Sequence, residues 1–182
     1  MRRSMSNDRS IGGKTFRLRE AESNADCVYL EGQPLMLREA SNQTWSMDFV
    51  MGALACSQRI KCLTIVDDFS NECLDISVAN GISGEQVART LDAIAALRGY
   101  PQAIRTDQGP EALDQWAYAN RVQLKLIQPG NPTRIGFIES VIRRFRDECL
   151  RELWFQDLAG AKEIIGKWRR DYNDNRPLSA LN

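Results

Sequence analysis

The stretch Cys73-Leu74-Asp75-Ile76-Ser77-Val78-Ala79-Asn80-Gly81-Ile82-Ser83-Gly84-Glu85-Gln86-Val87-Ala88-Arg89-Thr90-Leu91 decides the class of fold, because its apolar period changes from two to about 3.6. Up to Val78, apolar and polar residues alternate, as in a strand with one buried face. Ser83 then has the chemistry of a helix N-cap, with Glu85 and Gln86 in the first turn, and Val87, Leu91, Ile94 and Leu97 form one stripe that stops at Gly99. A strand thus runs directly into an amphipathic helix.

Upstream, Ile60 to Val66 is a β-branched run ending in Asp67-Asp68, and Ser46 to Val50 alternates around inward Met47 and Phe49 until Gly52 interrupts it. Three short strands on turn-length connections predict an antiparallel meander. Downstream, Ala103 to Thr106 predicts a fourth strand, Ala112–Ala119 a short helix and Val122–Ile127 a fifth strand, a spacing that implies parallel crossovers. After the loop Pro129-Gly130-Asn131-Pro132, a helix carries Ile135, Ile138, Ile142, Phe145 and Cys149 on one face. A last helix begins at Asp157 and carries Leu158, Ala161, Ile164, Ile165, Trp168 and Tyr172 until Pro177. The order β-β-β-α-β-α-β-α-α predicts an α/β, ribonuclease-H-like fold: a mixed five-stranded sheet flanked by helices. Residues 1–41 show no such regularity and read as a poorly ordered leader without a recognisable helix-turn-helix, leaving 42–182 as the folded core.

That topology sets the end of the first strand beside the end of the fourth. Asp48 lies on the first strand, Asp107 closes the fourth, and Glu139 sits at the edge of the apolar face of the penultimate helix. Like charges gathered within a few Å repel, so such a cluster is tolerated mainly around divalent cations. Oxygen donors suit Mg²⁺ or Mn²⁺, and two ions about 3.5–4 Å apart can activate a hydroxyl and stabilise the leaving oxygen of a phosphodiester. Taken singly, each residue also has a plain reading: an edge-strand acid, an Asp-Gly turn, a surface Glu.

Composition narrows the chemistry. There is no histidine among the 182 residues, which excludes Ser-His, Cys-His and His-metal mechanisms. Lys plus Arg and Asp plus Glu number 24 each, so any nucleic acid must be gripped by a local basic patch. Cys27, Cys56, Cys62, Cys73 and Cys149 form no CxxC pair and read as buried, reduced thiols, and all four tryptophans read as core. No apolar run approaches the roughly 18 residues of a membrane span, and the basic Met1-Arg2-Arg3 start lacks the apolar stretch of a signal peptide. No membrane partner and a cytoplasmic location are therefore expected.

Trp45-Ser46-Met47-Asp48-Phe49-Val50, Thr64-Ile65-Val66-Asp67-Asp68-Phe69, Asp107-x-Gly109-Pro110-Glu111, Phe137-Ile138-Glu139-Ser140, Arg146-Asp147-Glu148-Cys149-Leu150 and Trp168-Arg169-Arg170-Asp171-Tyr172-Asn173 resemble the catalytic core of bacterial insertion-sequence transposases related to retroviral integrases. The resemblance covers about residues 42–182. It implies a DDE transposase with Asp48, Asp107 and Glu139 as catalytic metal ligands, Mg²⁺ as cofactor, and DNA as partner, both transposon ends and target. Self-association stays open. Arg134, Arg143, Arg144, Arg146, Lys162, Lys167, Arg169 and Arg170 are the basic residues available for phosphate contacts.

Several positions depart from the family pattern. Gln108 replaces the usual Asn, Leu178 replaces a His, and the interval from Asp107 to Glu139 is about one helical turn short. Arg143 stands one turn from Glu139, spaced either for an i,i+4 pair that competes with metal or for solvent and phosphate. These departures make a catalytically silent remnant, binding DNA or an intact partner at most, the competing expectation. A nuclease that only hydrolyses is a third.

Overall fold

The computed structural model describes residues 40–107, 111–127 and 136–175. Residues 1–39 of the expected leader, together with Gln108, the loop around Pro129, Arg134 and Leu178, lie outside them. One five-stranded sheet holds β1 (Thr44–Ala53), β2 (Arg59–Asp67), β3 (Cys73–Ala79), β4 (Ala103–Thr106) and β5 (Gln123–Leu126) in the order β3-β2-β1-β4-β5. β1 to β3 form the antiparallel meander, and β4 and β5 join in parallel. The helices are α1 (Gly84–Arg98), α2 (Glu111–Ala119), α3 (Gly136–Phe145) and α4 (Leu158–Asn175).

The sheet is covered on both faces. Trp45 and Met47 of β1 with Leu63 and Ile65 of β2 pack against Val87 and Leu91 of α1 and Leu113 and Trp116 of α2. On the other face, Val50, Ile60, Cys62 and Val78 meet Ile138, Ile142 and Phe145 of α3 and Ile165 and Trp168 of α4. Alternation along β1 feeds both cores, which is what a central strand requires.

Local chemistry fixes the ends of the elements. Ser83 Oγ accepts from Gln86 N–H while the Gln86 side chain accepts from Ser83 N–H, a complete capping box on α1. Gly99 ends that helix with φ of +80°, a conformation open to glycine, and its N–H reaches Ala95 O at 2.7 Å. Asp157 caps α4 as expected, its Oδ1 accepting from Gly160 N–H at 2.7 Å.

Four expectations are corrected. Leu97 is 89% exposed, and Ala95 takes its place in the stripe; at about 100° per residue Leu97 has rotated off the face centred on Leu91. Gly52 does not stop β1, which continues to Ala53. A Cβ on Gly52 would lie 3.2 Å from Ile60 Cγ1 and 3.3 Å from Leu150 Cδ2, so the missing side chain makes room for the turn after α3. That turn, Arg146–Leu150, is π-helical rather than a continuation of α3, with Arg151 N–H bonding Arg146 O at 3.0 Å. Finally, Cys56 and Trp154 are exposed, the latter 81%, because both sit on connections rather than on packed faces.

Candidate active site

Asp48 lies mid-strand, not at the end of β1. The parallel pairing of β1 with β4 runs only from Thr44↔Ala103 through Trp45↔Ile104 to Ser46↔Arg105. Asp48 and Asp107 each stand two residues beyond that last pair. Since strand side chains alternate, Asp48 shares the face of Ser46, the face covered by α3. Glu139 comes from the first turn of α3, whose neighbours Ile138 and Ile142 are buried against the sheet.

These elements bring the three carboxylates to one cavity of about 160 Å³, lined by Asp48, Asp107 and Glu139, with Ser46 and Arg105 also in its wall and Ile127 and Ile138 supplying apolar surface. Asp48 is partly buried and Glu139 exposed. Burial holds the Asp48 carboxyl above its ordinary range. The N–H of Phe49, 2.6 Å from Asp48 Oδ1, opposes that shift; the negative charge of Asp107 adds to it, Arg146 opposes it, and Glu139 adds to it again. Asp48 therefore feels both other acids.

An all-oxygen, mutually repelling donor set fits a hard divalent cation in chemistry and charge. Among the described residues, no three acidic or thiol groups already stand close enough to hold one ion. The Asp48 oxygen is turned to its neighbour's N–H, and Glu139 is on the open side.

The basic residues divide. Among the described residues, the ion pairs near α3 are Arg144–Glu148 at 3.3 Å and Arg151–Asp147 at 2.6 Å, with none between Arg143 and Glu139. Arg143 is exposed on the helix that carries Glu139, Arg146 is exposed at the start of the π-helical turn that follows it, and Lys167 and Arg170 are exposed on α4. Arg169 is used structurally: Nη1 donates to Leu74 O at 2.6 Å, along the edge of β3. Lys162 lines a separate groove beside β3.

Sequence reasoning missed a buried network next to the acids. Arg105 is 5% exposed and Asp68 3%. Arg105 Nη1 lies 3.1 Å from Asp68 Oδ2, and Ser46 Oγ donates to Asp68 Oδ1 at 2.5 Å. The available signal was an arginine in the otherwise buried strand Ala103-Ile104-Arg105-Thr106, since a buried guanidinium demands a partner.

The sheet order, the two helical layers and the carboxylate cavity define a ribonuclease-H-like core. A family model described as integrase core domain matches residues 38–132, a second so described matches residues 120–182, and the chain belongs to the integrase core domain family. It is 59% identical over 159 residues to the insertion element IS407 uncharacterized 31.7 kDa protein of Burkholderia multivorans (strain ATCC 17616 / 249), covering 85% of this chain and 57% of that one. It is 52% identical over 154 residues to the insertion element IS476 uncharacterized 39.2 kDa protein of Xanthomonas euvesicatoria, covering 82% and 44%. The chain thus spans about half the length of the curated relatives it matches.

Among solved structures, it resembles a chain of the simian T-cell lymphotropic virus intasome in complex with PP2A regulatory subunit B56 gamma, with a TM-score of 0.54, 17% identity, and coverage of 78% of this chain and 52% of that one. It also resembles the HTLV-2 integrase catalytic core domain in complex with magnesium, trimeric form, with a TM-score of 0.51, 18% identity, and coverage of 79% and 90%. At that identity the likeness is one of fold. The integrase core family is divalent-metal dependent, and no helix among the described residues is long and apolar enough to cross a membrane.

Proposed function

We propose that this chain is the catalytic core of a DDE transposase that cleaves DNA strands and joins a transposon 3′-hydroxyl to target DNA, with Asp48, Asp107 and Glu139 as its metal ligands. The observation that carries this reading is the shared cavity of three acids drawn from β1, the end of β4 and α3. Two Mg²⁺ ions, or Mn²⁺ in their place, would supply Lewis-acid activation of the attacking oxygen and stabilisation of the leaving one. The chain's own part is to gather negative charge, to wall one side with Ile127 and Ile138, and to set exposed cations beside the reacting phosphate.

Arg146, close enough to act on the Asp48 charge, and Arg143, on the same helix as Glu139, are the exposed cations this reading assigns to that phosphate. Arg144, Lys167 and Arg170 extend the basic surface along α3 and α4, and Arg134 belongs to the same set by sequence. They give the local grip that a chain of zero net charge needs for DNA.

The silent-remnant reading draws on one observation, the absence among the described residues of three groups already spaced for a single ion. Labelled duplexes ending in the terminal repeats of the encoding element decide between the readings. In Mg²⁺, the labelled 3′ end joins a target duplex, and Asp48→Asn, Asp107→Asn or Glu139→Gln abolishes joining. Nicking without joining marks a hydrolytic nuclease. DNA binding with neither reaction marks a remnant.

A further inference from the structure

We infer that Asp68, Arg105 and Ser46 form a buried clamp that positions Asp48 and Asp107 and keeps the Arg105 guanidinium away from the carboxylates; the inference rests on the active-site reading above. Three strands meet in this network. Asp68 follows β2 directly, Ser46 lies on β1 and Arg105 on β4, so the Asp68–Arg105 pair reaches across β1. The Asp68 backbone is fixed as well, its N–H bonding Thr44 O at 3.0 Å.

Placement argues for alignment. Ser46 and Arg105 are the last residues by which β1 and β4 pair, and each site aspartate is two residues further on. Among the described residues the β1–β4 register ends at that rung. Both of its side chains bind the same carboxylate, which ties the two strands where their pairing stops.

Energetics points the same way. The pair's side chains are 6% and 1% exposed, so desolvation offsets much of its attraction, and a well-packed apolar pair would hold the fold as well. What Asp68 does, given Arg105, is neutralise a cation in the wall of an acidic cavity. Arg105 lines the same cavity as Asp48 and Asp107. Without Asp68, its guanidinium would stand in that wall as an uncompensated positive charge beside the acids, in addition to Arg146, and would compete with a divalent ion. Asp68 is therefore a positioning residue, one shell behind the ligands.

Asp67, its neighbour, has a different task. Its Oδ1 accepts from the N–H groups of Phe69 and Ser70, and its Oδ2 from Asn42 N–H at 2.6 Å, which shapes the turn into β3. The two adjacent acids thus separate a turn function from a site function.

Thermal-shift titration of the full chain with MgCl₂ tests the clamp without any DNA reaction. Asp68→Asn should raise the half-saturating Mg²⁺ concentration about tenfold or more, the usual size of an outer-shell effect. Arg105→Met in the same chain removes the competing cation, and the double variant should recover most of the lost affinity. If Asp68→Asn lowers only the metal-free melting temperature and leaves the Mg²⁺ midpoint unchanged, the pair is structural and the inference fails, while the active-site reading stands. A parent chain with no Mg²⁺-dependent shift overturns both. Should Asp68→Asn not fold, Ser46→Ala removes one hydrogen bond and keeps the ion pair; a rise of about threefold in its midpoint, the size of one hydrogen bond, supports the clamp, and an unchanged midpoint overturns it.

Discussion

Asn173 of α4 treats the backbone of Cys73 as a neighbouring strand would: its Oδ1 accepts from Cys73 N–H at 2.9 Å and its Nδ2 donates to Cys73 O at 3.0 Å. β3 is an edge of the sheet, and this side chain, with Arg169 on Leu74 O, closes its first residues. Edge strands left open invite pairing with other chains. Asn173→Ala should cost about 1–3 kcal/mol in urea denaturation, since Cys73 N–H loses its partner and Cys73 O keeps only the longer contact from Arg169 Nη1 at 3.4 Å. It should also increase self-association measured by light scattering, whereas Asn175→Ala, on an exposed side chain bonded within its own helix, should do neither.

The acidity of Asp48 sets a pH dependence. Burial and the charge of Asp107 raise its folded-state pKa above the ordinary 3.8. The cost of ionising it in the folded chain is absent below the unfolded value and fully present above the folded one, so stability contributed by this group falls as pH rises between them. In EDTA at pH 7, Asp48→Asn should melt about 1–3 °C higher than the parent, and the difference should vanish near pH 3.5. Equal melting temperatures at both pH values would show that Asp48 is not strained by its neighbours.

Thiol chemistry separates the cysteines. Cys62 and Cys73 are buried with pKa values pushed up to about 12, and Cys149 to about 11, in each case chiefly by burial, whereas Cys56 lies exposed between β1 and β2. In a Cys27→Ser background at pH 8, a thiol reagent should label Cys56 within minutes and the other three only after denaturation. Fast labelling of Cys62 or Cys149 would mean that α3 leaves the sheet in solution.

The tryptophans provide a packing contrast. Trp168 stacks on Tyr172 at 5.2 Å and lies 5.0 Å from Phe145, and its Nε1 donates to Glu148 Oε2 at 3.1 Å. Trp168→Ala should cost about 3–5 kcal/mol. Trp154→Ala should change stability by less than about 0.5 kcal/mol. Calorimetry on the two variants checks both values.

Most of the sheet was legible because its signals are local. Alternation marked β3, the Ser83 cap and Gly99 bounded α1, and Asp157 announced α4. The misses have physical reasons. The π-helical turn at Arg146–Leu150 leaves Phe145 and Cys149 on one face, as an α-helix would, so periodicity carries no trace of it. Exposure of Cys56 and Trp154 depends on where a connection lies, which residue type does not report. Asp48, Asp107 and Glu139 were legible as a set only through the crossover topology that brings β1 beside β4. The Asp68–Arg105 pair was half legible: Asp67-Asp68 stood out as a motif, but its partner lies on a strand 37 positions away, across a third strand.

One row of side chains on β1 remains to be read as a row. Ser46, Asp48, Val50 and Gly52 alternate along a single face, and in that order they serve the Arg105 network, the acidic cavity, the apolar core and the seat of Leu150. The strand is a ruler with four marks. A substitution erases one mark, but inserting or deleting a residue near its start moves all four at once and presents Trp45, Met47 and Phe49 in their place. β1 has no room to change length.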